Sequence, residues 1–368
     1  MESLKHKITT FTFLALLIGL FVANVLKPDT ALSRSERREL AQFPAFTMKR
    51  ALDASFMEDF DKYATDQFIG RETFRSIKAT FDRVALGKLD TNGLFMVKDD
   101  IFKIEYPLHE DKVLALGARL TALRDKYMQG MNVYYTIVPD KNYFLPNNGQ
   151  HLIMDYDRMR DLMVANMPGM TYIDLFGALS LDDYYNTDGH WRQERLAPIA
   201  TALGAGMGHD LGFDLDDYTA HSYDQFYGAY YGQAARKLMP DTLVWLENAV
   251  TQGAIVESLD AQGRLQPITM YNTERLTEMD SYDVYLHGMQ PFMVLTNLMA
   301  ETDRELLLFR DSYGSALAPV LLEDYAKITL IDLRYLHPDL LGYLIDFDQQ
   351  DVLMMYSTTI VNQSDMIR

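Results

Sequence analysis

Residues 305–332 read ELLLFRDSYGSALAPVLLEDYAKITLID, and this stretch indicates the fold class of the chain. An apolar run over 305–309 is followed by a predicted helix over 315–325 and a second apolar strand over 327–332. Strands that are apolar throughout and alternate with helices indicate a parallel sheet covered on both faces. The same alternation extends outward, with predicted strands over 132–138, 170–174 and 351–356 and predicted helices over 114–128, 158–166, 191–206 and near Pro338. The sequence therefore predicts an α/β fold.

Two parts of the chain depart from this alternation. Residues 222–300 contain Tyr- and Gly-rich stretches such as FYGAYYG, and they predict an inserted segment of strands and loops that could cap the sheet. Residues 28–100 predict a helical membrane-proximal segment, in which Asn92-Gly93 marks a turn beside a hairpin strand. Its predicted pieces are a charged helix over 31–42, two helices within 56–86 that separate at Gly70, and a hairpin through 94–97.

The composition narrows the function classes. The 368 residues carry a formal net charge of −18, which argues against nucleic acid as a partner but not against a neutral or weakly charged polysaccharide. The chain has no cysteine, which excludes disulfides, thiolate metal sites and a cysteine nucleophile. Its histidines are scattered without ligand spacing, so the sequence predicts neither a metal nor a cofactor.

The N-terminus predicts a membrane segment. Lys5 and Lys7 precede an uncharged apolar run over 8–26, whose nineteen residues approach the roughly 30 Å thickness of a hydrocarbon core. The basic flank favours an N-terminus inside the cell and a single-pass protein whose remainder is extracytoplasmic. Residues 1–27 are therefore predicted to be an uncleaved signal-anchor in the cell membrane, with a cleaved signal peptide as the alternative.

Three polar residues have the chemistry of a catalytic triad. Ser312 follows an apolar strand and precedes a helix, where backbone N–H groups favour an oxyanion. Asp188 lies two residues from His190 and can hold the imidazole in one tautomer, while Trp191 can shield it from water. Each residue also has a purely structural reading, since serine often caps a helix and a histidine beside a tryptophan is often only packed.

Two cations also follow predicted strands. Lys141 comes after the strand over 132–138, and Arg334 comes after the strand over 327–332. Either could bind an anionic or hydroxyl-rich substrate at the carboxyl edge of the sheet. A structural salt bridge of Arg334 with Asp332 or Asp311 is an equally good interpretation.

Several motifs in one order carry a family resemblance. They are LSRSERRELAQFP (32–44), DQFIGR (66–71), VPDK (138–141), YYNTDGHW (184–191), LLFRDSY (307–313) and IDLRY (331–335). At these residues the chain resembles the DHHW family and, more distantly, the alginate O-acetylation proteins, which have SGNH-hydrolase-like (flavodoxin-like) folds. It departs from the family at Gly189, where the family motif has histidine, and at 287–290, where a Gly-Asn-containing segment is altered.

The resemblance implies a catalytic SGNH-like domain over 101–368. Ser312 would be the nucleophile, His190 the general acid and base, and Asp188 its orienting carboxylate. The Ser312 N–H, with Gly288, would form the oxyanion hole, and Tyr313 would lie beside the substrate.

The activity implied is O-acetyl transfer to a cell-surface or secreted polysaccharide, with the acyl group supplied by a membrane-bound O-acyltransferase. A carbohydrate esterase with the same triad and a non-catalytic scaffold or glycan-binding subunit are the alternatives.

Overall fold

The computed structural model of the protein describes residues 2–33, 36–146, 151–235 and 238–368. Within these residues the β-strands are β1 (Leu32–Ser33), β2 (Arg38–Glu39), β3 (Leu94–Val97), β4 (Asp100–Lys103), β5 (Val133–Val138), β6 (Thr171–Ile173), β7 (Thr219–Phe226), β8 (Asp241–Glu247), β9 (Ile255–Leu259), β10 (Leu265–Ile268), β11 (Phe292–Thr296), β12 (Glu305–Arg310), β13 (Lys327–Ile331) and β14 (Asp351–Ser357). The α-helices are α1 (Glu2–Leu26), α2 (Met48–Leu52), α3 (Ser55–Asp66), α4 (Arg71–Leu86), α5 (Glu110–Tyr127), α6 (Tyr156–Asn166), α7 (Ala197–Met207), α8 (Ala229–Ala234), α9 (Ala249–Gly253), α10 (Tyr313–Leu321), α11 (Leu341–Leu344) and α12 (Thr358–Asn362).

The chain divides into two compact units. The N-terminal unit contains the described residues up to Asn92 together with 231–235 and Leu238. The sheet unit contains Gly93–Tyr230 and Met239–Arg368, so the hairpin of β3 and β4 belongs to it.

The sheet unit is built on an eight-stranded mixed sheet with the order β10-β9-β11-β13-β12-β14-β5-β6. The five strands from β13 to β6 run parallel, as residues 305–332 predict. Strands β9, β10 and β11 continue this sheet with antiparallel pairing. These three strands come from the predicted insertion, which therefore extends the sheet instead of only covering it.

Side chains on the central strands alternate between two hydrophobic cores. Leu306 and Leu308 of β12 belong to one core, whereas Leu307 and Phe309 belong to the other. Helices α7 and α10 pack in the first core and helices α5, α6 and α12 in the second. Helices α5, α6 and α7 each bury one face against the sheet, whereas every residue of α10 is buried. The predicted α/β fold with helices on both faces is confirmed.

The N-terminal unit contains the helix pair α3 and α4, which separate at Gly70 with its left-handed φ of 73°. Ion pairs join the unit: Arg38 pairs with Asp66 at 2.5 Å, and Glu36 binds Arg71 and Arg75. The family-like motif over 66–71 thus supplies structural ion pairs. Helix α1 is long and apolar enough over Leu4–Leu26 to cross a membrane, a property it shares with a signal sequence.

Two predicted helices were wrong in part. The region 31–42 contains the short antiparallel pair β1 and β2, and its residues 34–35 lie outside the described residues. Its charged side chains, Glu36 and Arg38, form ion pairs with Arg71 of α4 and Asp66 of α3 instead of pairing along a helix of their own. Helix α7 begins at Ala197, not at Trp191, because Trp191 pairs with Tyr184 in an antiparallel bridge.

Candidate active site

The serine lies where β12 ends and α10 begins. Arg310 is the last residue of β12, and Ser312 immediately precedes the first residue of α10, Tyr313. The buried carboxylate of Asp311 accepts from the Tyr313 N–H at 3.1 Å and from the Ser357 N–H at 2.8 Å. Since Ser357 ends β14, the Asp311 side chain fixes the serine turn between two neighbouring parallel strands.

The histidine and aspartate lie in a tight reversal of the chain. Tyr184 bridges Trp191, and the Tyr185 N–H donates to the His190 carbonyl at 3.1 Å. Asp188 and Gly189 therefore form the tip of this reversal. The His190 N–H also donates to Asp188 Oδ1 at 2.9 Å, which fixes the backbone of the tip.

Three side chains form a continuous hydrogen-bonded chain. His190 Nδ1 lies 2.6 Å from Asp188 Oδ1, and His190 Nε2 lies 2.7 Å from Ser312 Oγ. With the Nδ1 proton directed to the carboxylate, Nε2 accepts from the serine hydroxyl, which is the tautomer required for a general base. Asp188 is only 1% exposed, so its interaction with the imidazole is little screened by water.

The two aromatic neighbours connect the reversal to the serine turn. Trp191 Nε1 donates to the Tyr313 carbonyl at 3.1 Å, and Tyr313 Oη donates to the Gly189 carbonyl at 2.6 Å. Burial raises the pKa of Tyr313 well above its ordinary value, so this phenol stays a neutral donor. Trp191 and Tyr313 thus hold His190 and Ser312 at a fixed separation.

A segment from the predicted insertion holds the aspartate. We call residues 228–230 the clasp. The Gly228 N–H donates to Thr187 Oγ1 at 3.0 Å, the Ala229 N–H to Asp188 Oδ2 at 2.7 Å, and the Tyr230 N–H to the Thr187 carbonyl at 3.1 Å. A Cβ at Gly228 would lie 2.5 Å from the Cβ of Asp188, so only glycine permits this approach.

Asp241 supports the same reversal from β8. Its buried carboxylate accepts from the Asn186 N–H at 3.0 Å, the Thr187 N–H at 2.8 Å and Thr187 Oγ1 at 2.6 Å. These bonds satisfy two backbone donors that the tight reversal leaves without strand partners. The clasp and Asp241 together fix the backbone that carries Asp188.

Tyr282 packs directly on the imidazole. Its ring is stacked on His190 with centroids 4.1 Å apart and an interplanar angle of 13°. Tyr282 is itself buried, so its ring covers one face of the imidazole and limits the rotation of His190.

A buried arginine lies beneath the nucleophile turn. Arg310 is 1% exposed, and its Nη1 donates to Ser315 Oγ at 3.0 Å. Burial lowers the pKa of Arg310. A Cβ at Gly314 would lie 2.7 Å from the Arg310 Cβ, so glycine is required where the helix passes this side chain.

The remaining predicted site residues already have partners. Lys141 Nζ donates to the carbonyls of Tyr185 and Asn186 at 2.8 and 3.0 Å and pairs with Asp100 at 3.0 Å. Arg334 binds Asp332 through Nε and Nη2 at 2.9 and 2.6 Å, the structural salt bridge considered above. The roles of both cations in substrate binding stay predictions.

Gly288, the proposed second oxyanion donor, gives its N–H to the Tyr285 carbonyl at 3.1 Å. It follows Leu286 and His287, both of which also have positive φ. This engaged N–H does not strengthen the prediction that Gly288 binds an oxyanion. In the described ranges, no group of three or more His, Asp or Glu side chains is placed to hold a metal ion.

Sequence reasoning did not identify the clasp, Asp241 or Tyr282 as site residues. The Tyr- and Gly-rich composition of residues 226–232 was the available signal for the clasp. Asp241 and Tyr282 are ordinary residues of the insertion that carry no local signal. Their partners in the site lie between 54 and 92 positions away in the chain, a separation that no periodicity reveals.

The mixed sheet covered by helices on both faces, with a serine at the end of one parallel strand, defines the class as an α/β protein. The chain is similar to a DHHW family protein from Eubacterium siraeum, with a TM-score of 0.60 and 20% identity over 75% of this chain and 94% of that chain. It is also similar to Bacillus cereus PatB1 in its structure with a sulfonyl adduct, with a TM-score of 0.59 and 18% identity over 73% of this chain and 95% of that chain.

The chain shows a weaker likeness to the O-acetyltransferase domain of Pseudomonas putida AlgJ. The TM-score is 0.38, with 15% identity over 69% of this chain and 82% of that chain. No protein-family model and no curated protein sequence matches the chain. The similarities to the DHHW family protein and to PatB1 confirm, at the level of the fold, the resemblance that the ordered motifs indicate.

Proposed function

We propose that the protein is a membrane-anchored O-acetyltransferase that acts outside the cytoplasm on a polysaccharide. The observation that carries this proposal is the hydrogen-bonded chain Asp188–His190–Ser312, with distances of 2.6 and 2.7 Å. A serine hydroxyl bonded to an imidazole that is oriented by a buried carboxylate is activated for attack on an ester carbonyl.

The reaction follows from this geometry. His190 Nε2 takes the proton as Ser312 Oγ attacks the acyl carbon, and the same proton passes to the donor's leaving oxygen as its ester bond breaks. An acyl-serine remains. A hydroxyl of the acceptor then gives its proton to His190 and forms the new ester, and the serine oxygen recovers the proton. The start of α10, with the Ser312 N–H, faces the oxyanion in both steps.

The donor and the acceptor are assigned from chemistry and location. Acetyl-CoA is cytosolic, so a catalytic unit on the outer side of the membrane needs a membrane-bound O-acyltransferase to present the acyl group. Helix α1, with its apolar span over Leu4–Leu26, would keep the enzyme at the surface where that group emerges. The acceptor is a hydroxyl-rich polysaccharide of the cell surface or one that is secreted.

The test uses the full chain in detergent with a small chromogenic acetyl ester. We expect ester cleavage, and we expect Ser312→Ala to lower kcat/KM by roughly 10⁴-fold or more because the nucleophile is lost. Ser222→Ala, which changes an exposed serine on β7, is the matched control and should retain full activity. A sulfonyl fluoride should attach one sulfonyl group to Ser312 with loss of fluoride. Mass spectrometry should therefore show one added group on the unchanged chain and none on Ser312→Ala.

Transfer and hydrolysis are separated by adding an oligosaccharide acceptor. A transferase gives an acetylated oligosaccharide and a faster release of the chromophore, because the sugar hydroxyl removes the acyl group from Ser312. An esterase gives free acetate in the same amount with or without the acceptor. A folded Ser312→Ala variant that supports normal polymer acetylation in cells would instead identify a scaffold and refute the enzymatic proposal.

A further inference from the structure

Helix α4 presents an apolar face to solvent. Phe74, Ile77, Phe81 and Val84 recur at the spacing of one helix face and are 55%, 57%, 57% and 78% exposed. Its charged side chains lie on other faces, where Lys78 pairs with Asp82 at 2.8 Å. An apolar stripe over three helical turns that stays open to water marks a surface that binds something.

The start of α4 is bonded to the end of the apolar span of α1. Asn24 lies in the last two turns of α1, and its side-chain oxygen accepts from the Ile69 N–H at 2.7 Å. Its amide nitrogen donates to the Leu20 carbonyl at 3.0 Å, so this polar side chain is satisfied on both sides. Lys27 Nζ also donates to the Gln67 carbonyl at 3.1 Å.

These bonds set the depth in a bilayer of the residues that lead into α4. Since Asn24 belongs to the span Leu4–Leu26, a membrane crossed by α1 places Ile69 at the boundary between hydrocarbon and headgroups. Gly70 follows directly, and α4 starts at Arg71. The Phe68 ring contacts the Phe74 ring with centroids 5.6 Å apart, which connects this depth to the apolar face of α4.

The charge distribution also favours the N-terminal side as the one that meets the membrane. Residues 1–92 carry 14 Lys and Arg against 12 Asp and Glu, whereas the rest of the chain carries 20 against 40. An anionic bilayer surface repels the strongly acidic remainder and not the nearly neutral N-terminal part.

We propose that α4 is a second membrane contact, lying in the outer interface of the same bilayer with Phe74, Ile77, Phe81 and Val84 among the lipid chains. The occupant of this face is lipid. The exposed apolar face with charged side chains on the other faces is the pattern of an interfacial amphipathic helix, whose apolar face enters the headgroup and acyl boundary by about 5–10 Å. The proposal rests on the assignment of α1 as a membrane anchor, and the test separates the two.

The absence of cysteine allows a direct test on the full chain. Phe81→Cys and Arg83→Cys each introduce one thiol at an exposed position of α4, the first on the apolar face and the second opposite to it. Each protein is labelled with a fluorophore, reconstituted into phosphatidylglycerol and phosphatidylethanolamine vesicles, and quenched with lipids that carry a nitroxide at a shallow acyl position. We expect the label at 81 to be quenched several-fold more strongly than the label at 83.

The other outcomes identify the error. Flotation with the vesicles but equal, weak quenching at both positions would leave the anchor intact and overturn the α4 contact. Disulfide-linked dimers of Phe81→Cys under mild oxidation, with no lipid quenching, would assign the face to a second copy. Failure to float would refute the α1 anchor and the α4 contact together, while leaving the ester-cleavage test of the proposed function unaffected.

Discussion

Gly189 separates Asp188 from His190, and the hydroxyl of Tyr230 lies beside it. A Cβ at Gly189 would lie 2.5 Å from Tyr230 Oη and 3.1 Å from Cζ. The phenol occupies the volume that a side chain at position 189 would need. This accounts for the departure from the histidine of the family motif, because the space is filled from another segment while the triad stays intact.

We predict that Gly189→Ala lowers kcat/KM for a chromogenic ester by roughly ten- to a hundredfold. The new methyl group would displace the Tyr230 hydroxyl and distort the reversal that carries His190, which raises the activation free energy by about 1.4–2.8 kcal/mol. Tyr230→Phe removes the hydroxyl oxygen with which the alanine methyl group at position 189 would clash. Gly189→Ala with Tyr230→Phe should therefore recover most of the loss, with a coupling energy on the order of 1–3 kcal/mol. Steady-state kinetics of the three variants and the unchanged chain complete the cycle.

Thermal unfolding of the same proteins is the control. Equal melting temperatures for Gly189→Ala and the double variant, with different kcat/KM, would show that the effect is local to the site. A double variant as impaired as Gly189→Ala would exclude the phenol as the obstacle.

Among the elements, the predicted insertion contributes most to the site beyond the parallel strands. Its clasp binds the backbone and carboxylate of the residues at 187 and 188, and its strand β8 begins with Asp241. The segment from β7 to β8 is therefore part of the candidate site and not only a cover.

We predict that Asp241→Ala lowers kcat by roughly a hundredfold and destabilises the sheet unit by about 1–3 kcal/mol, because two buried N–H groups lose their acceptor. The matched control is Asp224→Ala, which removes an exposed carboxylate of β7 that accepts only from Thr242 in its described contacts. It should change neither quantity measurably. An Asp241→Ala variant with normal kcat would show that Asp188 is held adequately without β8.

The parallel strands could be predicted from the sequence because their apolar periodicity is a local trace, whereas the contact between His190 and Ser312, which are 122 positions apart, was expected from the family resemblance. Strand β12, helix α10 and strand β13 follow apolar periodicity, and Ser312 follows the strand end. The antiparallel strands β9 to β11 could not be assigned to the sheet, since their pairing is decided by partners far along the chain. The start of α7 was missed because the bridge from Trp191 to Tyr184 overrides helix propensity.

Across the whole molecule, stability should depend on pH through Asp140. This carboxylate follows β5 and accepts from Tyr156 Oη at 2.8 Å and Thr358 Oγ1 at 2.8 Å. Burial raises the pKa of Asp140 from its usual 3.8 to about 6. The folded state therefore holds the proton more tightly than the unfolded state, and the stability gained from it is full below about pH 4 and is lost as pH rises through 6.

We predict that Asp140→Asn removes this dependence. The free energy of unfolding of the unchanged chain, relative to the variant, should fall by up to about 3 kcal/mol between pH 4 and pH 7, as a pKa difference of about two units implies. Denaturant unfolding followed by tryptophan fluorescence measures it, because both tryptophans, Trp191 and Trp245, belong to the sheet unit. Parallel pH curves for the two proteins would show that Asp140 titrates normally.

The bond from the Ser357 N–H to Asp311 has a consequence for biosynthesis. A chain is made from its N-terminus, so Asp188 and His190 leave the ribosome long before Ser312 and before the strand that ends at Ser357. A nascent or truncated chain that stops short of this strand has Asp188 and His190 but lacks the bond that shapes the serine turn. The serine turn therefore takes its shape only after β14 has been made, and we expect a fragment that ends before Ser357 to cleave no chromogenic ester in the test of the proposed function.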